Sequence, residues 1–396
     1  MFIKESFLKQ KKLQKDILIF LNILIHICIM FVSINPHFHE YFAVMSVSQT
    51  FIDPAKVFVP FGFFIYCFQS IRYMYAFRYD ENQFRLYHFN FSNWVITQSF
   101  FPKFFCGAIS NYEHDRFEFN KRFRLRLINI VIGSQKIIWG LFKKLVIADR
   151  LYQAFIDYPV ISVSSISIYE HLVFISLCFI YIVATATGLH DIGLGVAKIF
   201  DVELYRNFQV PLFPESLRSF WDKWFLTIGQ SVSEYHNEMD GKSRKSIFKY
   251  LLIIFLSTLF YVKFDNYLFF ILGFGIFITL ETFIIVPTMP IKNTIWQKTY
   301  KLLALLLTMF IWGTLFTNIS GTLTLLKSSW IYSGFLDDYF SSRELIIILI
   351  SLPLFLFFSY IQKKSPLRDL SMASPLWIKV FVILLILTYI LMFGVI

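Results

Sequence analysis

The chain has 396 residues, of which 57% are apolar, 20% aromatic and only 16% charged, with a formal net charge of +11. Soluble domains carry about 25% charged residues, so this composition lies outside the soluble globular class. The positive balance suits membrane orientation and contact with anionic lipid, and no soluble basic module is visible that would bind nucleic acid.

Along the chain, Lys4, Lys9, Lys11, Lys12 and Lys15 form a basic start with no small-residue cleavage site behind it. Residues 1–15 are therefore expected to be a cytoplasmic N-terminus. Apolar runs follow at Ile17–Ile34, Val57–Phe77, His171–Gly188, Tyr250–Val262, Tyr267–Val286, Leu302–Thr317, Leu345–Tyr360 and Trp377–Ile396. The stretches Trp94–Ser110 and Ile128–Ala148 are interrupted by polar residues, and the run at Tyr250 is short, which suggests tilted, re-entrant or interfacial segments. The pattern predicts an all-α, polytopic transmembrane bundle of roughly eight to ten helices, in one domain covering the whole chain. Cys28, Cys67, Cys106 and Cys178 lie in or beside apolar runs without metal-ligand spacing, as buried inert thiols do.

Two polar regions interrupt this pattern. Tyr112–Arg126 mixes Phe with charges of both signs and predicts an amphipathic helix at a headgroup interface. Asp201–Lys249 contains Pro211, Pro214, three acidic residues after Ser233 and the cluster Lys242–Lys245. Irregular backbone near a membrane belongs where it is buried in protein or lines a wet cavity, so this is the first place to seek a site.

Four stretches carry a resemblance. They are Pro60-Phe-Gly…Phe68-Gln…Tyr73, Phe100-Phe-Pro-Lys…Gly-Ala-Ile109, Gly140-Leu-Phe-Lys-Lys-Leu-Val-Ile-Ala-Asp-Arg-Leu151, and Gly188–Gly241 with Asp191, Gly193, Gly195, Asn207-Phe208, Pro211 and Phe220-Trp221-x-x-Trp224. Phe310-Ile-Trp-Gly-Thr-Leu-Phe316 follows farther on. Together they resemble the bacterial polysaccharide branch of the membrane-bound O-acyltransferases, which includes alginate O-acetyltransferases and the D-alanyl transferases of teichoic acid. The order agrees from about Asp16 onward, and the chain is expected to lack the first few membrane helices usual in the family. The resemblance implies a helical bundle with re-entrant and interfacial helices around a central tunnel. It also implies an inner-membrane location, acyl transfer to an extracytoplasmic polysaccharide, and an acyl thioester such as acetyl-CoA as donor substrate, with no bound cofactor or metal. Implied partners are membrane lipid, a CoA or acyl-carrier donor, a periplasmic SGNH-type transferase and a polysaccharide-synthesis complex.

The family's chemistry needs a histidine deep in the membrane. A hydroxyl is a weak nucleophile at neutral pH, and imidazole is well poised to take its proton. Aligning the family pattern on Leu259, Gly275, Leu280 and Glu281 places Phe260 at its Trp, Tyr261 at its first His and Phe274 at its catalytic His. In the motif Trp-His-Ile-Ser, Phe225 takes the His position, while Ser231 and Ser233 replace a Trp and an Arg of the motif that Glu234 and Tyr235 continue. A benzyl group cannot accept a proton, so the resemblance and the residues disagree.

His190, in Gly188-Leu-His-Asp191 where the family has Gly-Tyr-Ser-Asp, is the candidate substitute base; the alternative is a polar residue packed against backbone. Its neighbour Asp191 is not assumed to pair with it, since adjacent helix residues do not face each other. By resemblance Asp191, Asn207, Trp221, Trp224, Tyr235 and Tyr261 line the tunnel or bind substrate. Other groups carry less. His236 suits a solvated loop, and His37-Phe-His39-Glu40 lacks a third metal ligand in reach. Lys143 and Lys144 suit interfacial anchoring or donor phosphates. Glu203, Glu215 and Asp222 would be glycosidase-type carboxylates only at a fixed separation. Three functions therefore compete: an acyltransferase, a catalytically inactive relative serving as scaffold or acyl tunnel, and a transporter. The last is disfavoured, because no repeat-related halves are present.

Overall fold

A computed structural model of the chain describes Gln69, Ser70, Arg72, Tyr250, Ile254 and residues 91–156, 168–209, 212–231, 264–285, 294–313, 342–364 and 376–394. Among these residues the structure is helical and contains no strand, only an isolated bridge. The expected span at Ile17, most of those at Val57 and Tyr250, and His37, His39, Tyr235, His236 and Tyr261 lie outside the described residues. The chain divides into two units, one formed by residues 1–123 and 202–205, the other by residues 124–201 and 206–396.

In the first unit the segment from Trp94 to Ser110 breaks where proline dictates. Helix α1 (Phe91–Ser99) ends ahead of Pro102, which opens α2 (Pro102–Cys106) at its first turn, where a missing N–H costs nothing. Gly107 then takes φ 65°, a left-handed cap that glycine adopts without penalty, and its N–H closes on the Lys103 carbonyl at 2.8 Å. The expected interfacial helix is shorter than its pattern, since α3 (Tyr112–Asn120) stops and residues 121–126 are not helical. Lys121, Arg122, Arg124 and Arg126 crowd like charges into that stretch, which disfavours another helical turn.

In the second unit α4 (Leu127–Leu141) continues through a π-helical turn (Phe142–Ala148) into α5 (Asp149–Ile156). Helix α6 (Ile168–Ile199) runs antiparallel to α4, because Gly133 meets Gly195 and Gly140 meets Gly188. A Cβ on any of the four would come within 2.9 Å of the partner's carbonyl oxygen, so the two backbones touch at each crossing. The pairs are seven residues apart on both helices, two turns, which keeps one face in contact. Small residues that let backbones approach are how helices associate where water does not drive them together. Further helices are α7 (Leu217–Lys223), α8 (Phe264–Leu280, with a π-turn Glu281–Ile285), α9 (Thr294–Gly313), α10 (Ser342–Lys364) and α11 (Leu376–Phe393), and residues 226–231 are also helical.

Among the described residues one helix, Leu172–Ile199, is long and apolar enough to cross a membrane. Shorter apolar helices lie at Leu272–Phe283, Ile346–Tyr360 and Val380–Phe393. Their outward residues include Leu272, Ile276, Phe283, Leu349, Phe357, Phe381, Leu384 and Leu391, all exposed.

Candidate functional site

The second unit gathers its motif residues around α7. Ser216 caps this helix reciprocally: its Oγ accepts the Ser219 N–H at 3.0 Å, and Ser219 Oγ accepts the Ser216 N–H at 2.9 Å. Glu281, at the end of α8 and 1% exposed, adds a second anchor by accepting the Arg218 N–H at 3.2 Å. Held at its N-terminus by both, α7 turns Phe220 and Trp221 inward, and the chain leaves the helix at Trp224 in an extended conformation. Phe225 then takes φ 52°, a left-handed conformation that costs a bulky residue about 1–2 kcal/mol.

Phe274 from α8 and Trp312 from α9 complete an aromatic centre with these residues. Phe274 is fully buried; its ring lies edge to face with Trp221 at 5.0 Å, parallel to Phe220 at 6.4 Å, and 6.5 Å from Trp312. Trp312 stands 5.2 Å from Trp224, and Phe220 stacks on Trp224 at 5.4 Å. Phe274, expected from the motif alignment to stand at the position of the base, is an aromatic side chain packed among aromatic side chains.

His190 on α6, 2% exposed, lies one ring away from this centre. Phe208 stands edge to face with His190 at 5.3 Å, and on its other contacts lies 4.8 Å from Trp224 and 5.0 Å from Phe225. His190 Nε2 accepts the backbone N–H of Asn207 at 3.2 Å. Asn207 is itself fully buried, and its Oδ1 accepts both the Thr227 N–H at 3.2 Å and the Thr227 hydroxyl at 2.7 Å.

Asp191 does not turn toward His190. Its carboxylate takes the ammonium of Lys143 at 2.6 Å. Lys143, read from sequence as an interfacial or phosphate-facing residue, is buried; the π-turn brings it onto α6, with its ammonium 5.5 Å from the Trp139 ring. Lys144 pairs with Asp149, and Arg150 donates to the Phe393 carbonyl at the end of α11. Of the three carboxylates Glu203, Glu215 and Asp222, Glu203 belongs to the first unit, Glu215 faces Lys301 at 3.8 Å, and Asp222 accepts the Tyr250 hydroxyl at 3.2 Å. Among the described residues no cluster of His, Cys, Asp and Glu is arranged to hold a metal ion.

The first unit contains a polar knot that sequence reading missed. Lys103 Nζ donates to Asp115 Oδ2 and to Ser110 Oγ, both at 2.7 Å, and the Ser110 hydroxyl donates to Asp115 Oδ1 at 2.5 Å. Gln69 clamps Ser110 from both sides, accepting its N–H at 3.0 Å and donating to its carbonyl at 3.1 Å. Burial works to raise the Asp115 carboxyl, but Lys103, with help from His114 and Ser110, outweighs it and holds the group below the ordinary carboxylate range. The only advance signal was a pair of charges flanking an apolar motif.

No protein-family model matches the chain. Over 173 residues it is 28% identical to the peptidoglycan O-acetyltransferase of Helicobacter pylori, covering 42% of this chain and 32% of that protein. Over 209 residues it is 22% identical to the probable alginate O-acetylase AlgI of Pseudomonas putida, covering 51% of this chain and 41% of the relative. The matched segments therefore span about a third to two-fifths of the relatives' lengths. The resemblance carried by the motifs is thus shared with proteins of the membrane-bound O-acyltransferase branch, at low identity over about half the chain.

Proposed function

We propose that this is a multi-pass inner-membrane protein of O-acyltransferase type, acting in the transfer of an acyl group, acetyl in particular, to an extracytoplasmic polysaccharide. The observation that supports it best is convergence. Phe208 and Trp221 with Trp224, Phe274, and Trp312 come from three separate motif segments, yet pack about one centre. The exposed apolar faces of α8, α10 and α11 fit contact with lipid tails, and the Gly–Gly crossings of α4 and α6 fit helix pairing inside a bilayer. In this reading the acyl donor is a thioester such as acetyl-CoA, and an SGNH-type periplasmic transferase would receive the group.

A second reading is favoured by one residue. Phe274 offers no lone pair where a base is required, so the chain would serve its complex as a scaffold or acyl passage and not perform the proton transfer. Acyl transfer from acetyl-CoA by the purified chain alone separates the two. Turnover by the wild-type chain supports the acyltransferase reading. No turnover by the wild type with recovery by Phe274→His supports the second, and no turnover by either removes the acyltransferase reading.

A further inference from the structure

We infer that His190 is a positioning residue: its neutral imidazole serves as the acceptor for the Asn207 N–H and so holds the segment that packs Trp224 into the aromatic centre. The inference rests on the proposed acyl-transfer reading only for its activity arm.

Asn207–Gln209 runs antiparallel to Lys223–Leu226: the Leu226 N–H donates to the Asn207 carbonyl at 2.8 Å, the Gln209 N–H donates to the Lys223 carbonyl at 3.0 Å, and Phe208 bridges Trp224. Asn207 is fully buried, and a buried N–H needs an acceptor. Nε2 of His190 supplies it at 3.2 Å. An imidazole side chain thus serves where a backbone carbonyl otherwise would.

The same bond fixes the chemistry of the ring. A neutral imidazole has one nitrogen that donates and one that accepts. With Nε2 accepting from Asn207, Nδ1 carries the proton, and no lone pair is left to take a proton from an acceptor hydroxyl. A group committed in this way orients its neighbours. Its consequence reaches the centre through Phe208, which touches both His190 and Trp224.

The test compares His190→Gln, whose amide oxygen can accept an N–H but cannot act as a base, with His190→Ala, which can do neither. The full-length chain in detergent is followed by hydrogen exchange over peptides spanning 205–228, and the same variants are scored for polysaccharide acetylation. Positioning predicts at least tenfold faster exchange in His190→Ala, near wild-type exchange in His190→Gln, and at least half of wild-type acetylation in His190→Gln. It is overturned by a Gln variant that exchanges like wild type yet loses acetylation, which makes His190 a proton acceptor, or by an Ala variant whose exchange is unchanged. A Gln variant that behaves like Ala in both readouts overturns it as well. If the wild type itself gives no acetylation, the acyl-transfer reading fails separately and hydrogen exchange still decides the role of His190.

Discussion

Gly140 and Gly188 meet backbone to backbone: a Cβ on Gly140 would lie 2.5 Å from the Gly188 carbonyl oxygen and 2.9 Å from the Ile192 nitrogen. Neither atom is a flexible side-chain end, so one helix must shift to admit a methyl group. Overpacking of this kind costs about 1–3 kcal/mol. Gly140→Ala and Gly188→Ala should each lower the thermal midpoint of the detergent-solubilised chain, whereas Gly273→Ala, with its nearest neighbour at 3.9 Å, should not. An equal effect at all three positions would contradict the close crossing.

The buried pair Lys103 and Asp115 gives a prediction with a pH signature. Removing one partner leaves the other charge buried and uncompensated, at a cost of about 3–5 kcal/mol. Asp115→Ala should therefore destabilise the first unit strongly, and the combined Lys103→Met, Asp115→Leu change should recover much of the loss. Because the folded carboxyl sits below its unfolded value, its stabilisation is full above the ordinary carboxylate range and is lost as pH falls through the folded value. Melting curves between neutral and strongly acidic pH should show that loss in the wild type and lack this component in the double variant.

Much of the scaffold was legible because apolar runs are strong local signals. The runs at His171, Tyr267, Leu302, Leu345 and Trp377 each lie within or largely overlap an observed helix. What escaped notice depends on contacts between distant segments. Phe142–Ala148 holds no helix breaker, so nothing marks it as a π-turn that swings Lys143 onto Asp191. Lys103 reaches Asp115 only because Gly107 reverses the chain between them. Trp312 could be assigned to a motif, but not to a position against Phe274.

Glu281 should matter through its acceptor oxygen more than through its charge. It receives the Arg218 N–H at the start of α7, the helix that carries Phe220 and Trp221. Glu281→Gln keeps an acceptor, whereas Glu281→Ala leaves the half-buried Arg218 donor unsatisfied, worth about 1 kcal/mol. The expected order of thermal midpoints is wild type, then Gln, then Ala, and hydrogen exchange in the first turn of α7 should rise only in Ala. A Gln variant as damaged as Ala would show that the charge itself holds α7.

Phe274 fills its site by volume, so truncation and exchange should separate. Phe274→Ala removes a fully buried ring among Phe220, Trp221 and Trp312 and should cost about 3–5 kcal/mol. Phe274→Leu keeps most of the volume and should cost less than half as much. Denaturant unfolding followed by indole fluorescence measures both. Similar losses in the two would mean that ring-to-ring geometry, and not filling, stabilises the centre.

Phe225 and His190 are coupled through a shared neighbour, since both touch Phe208. The motif that this segment resembles has histidine at position 225 and serine at position 190, so the imidazole sits on the other contact of Phe208 here. Phe225 also holds a left-handed backbone, φ 52°, which histidine adopts more readily than phenylalanine. A double-mutant cycle with His190→Ser and Phe225→His should therefore be non-additive by about 0.5–3 kcal/mol, the double variant losing less than the sum of the singles. Stability of the four chains, read from thermal unfolding in detergent, supplies the number. Additivity within about 0.5 kcal/mol would mean that Phe208 transmits nothing between the two positions.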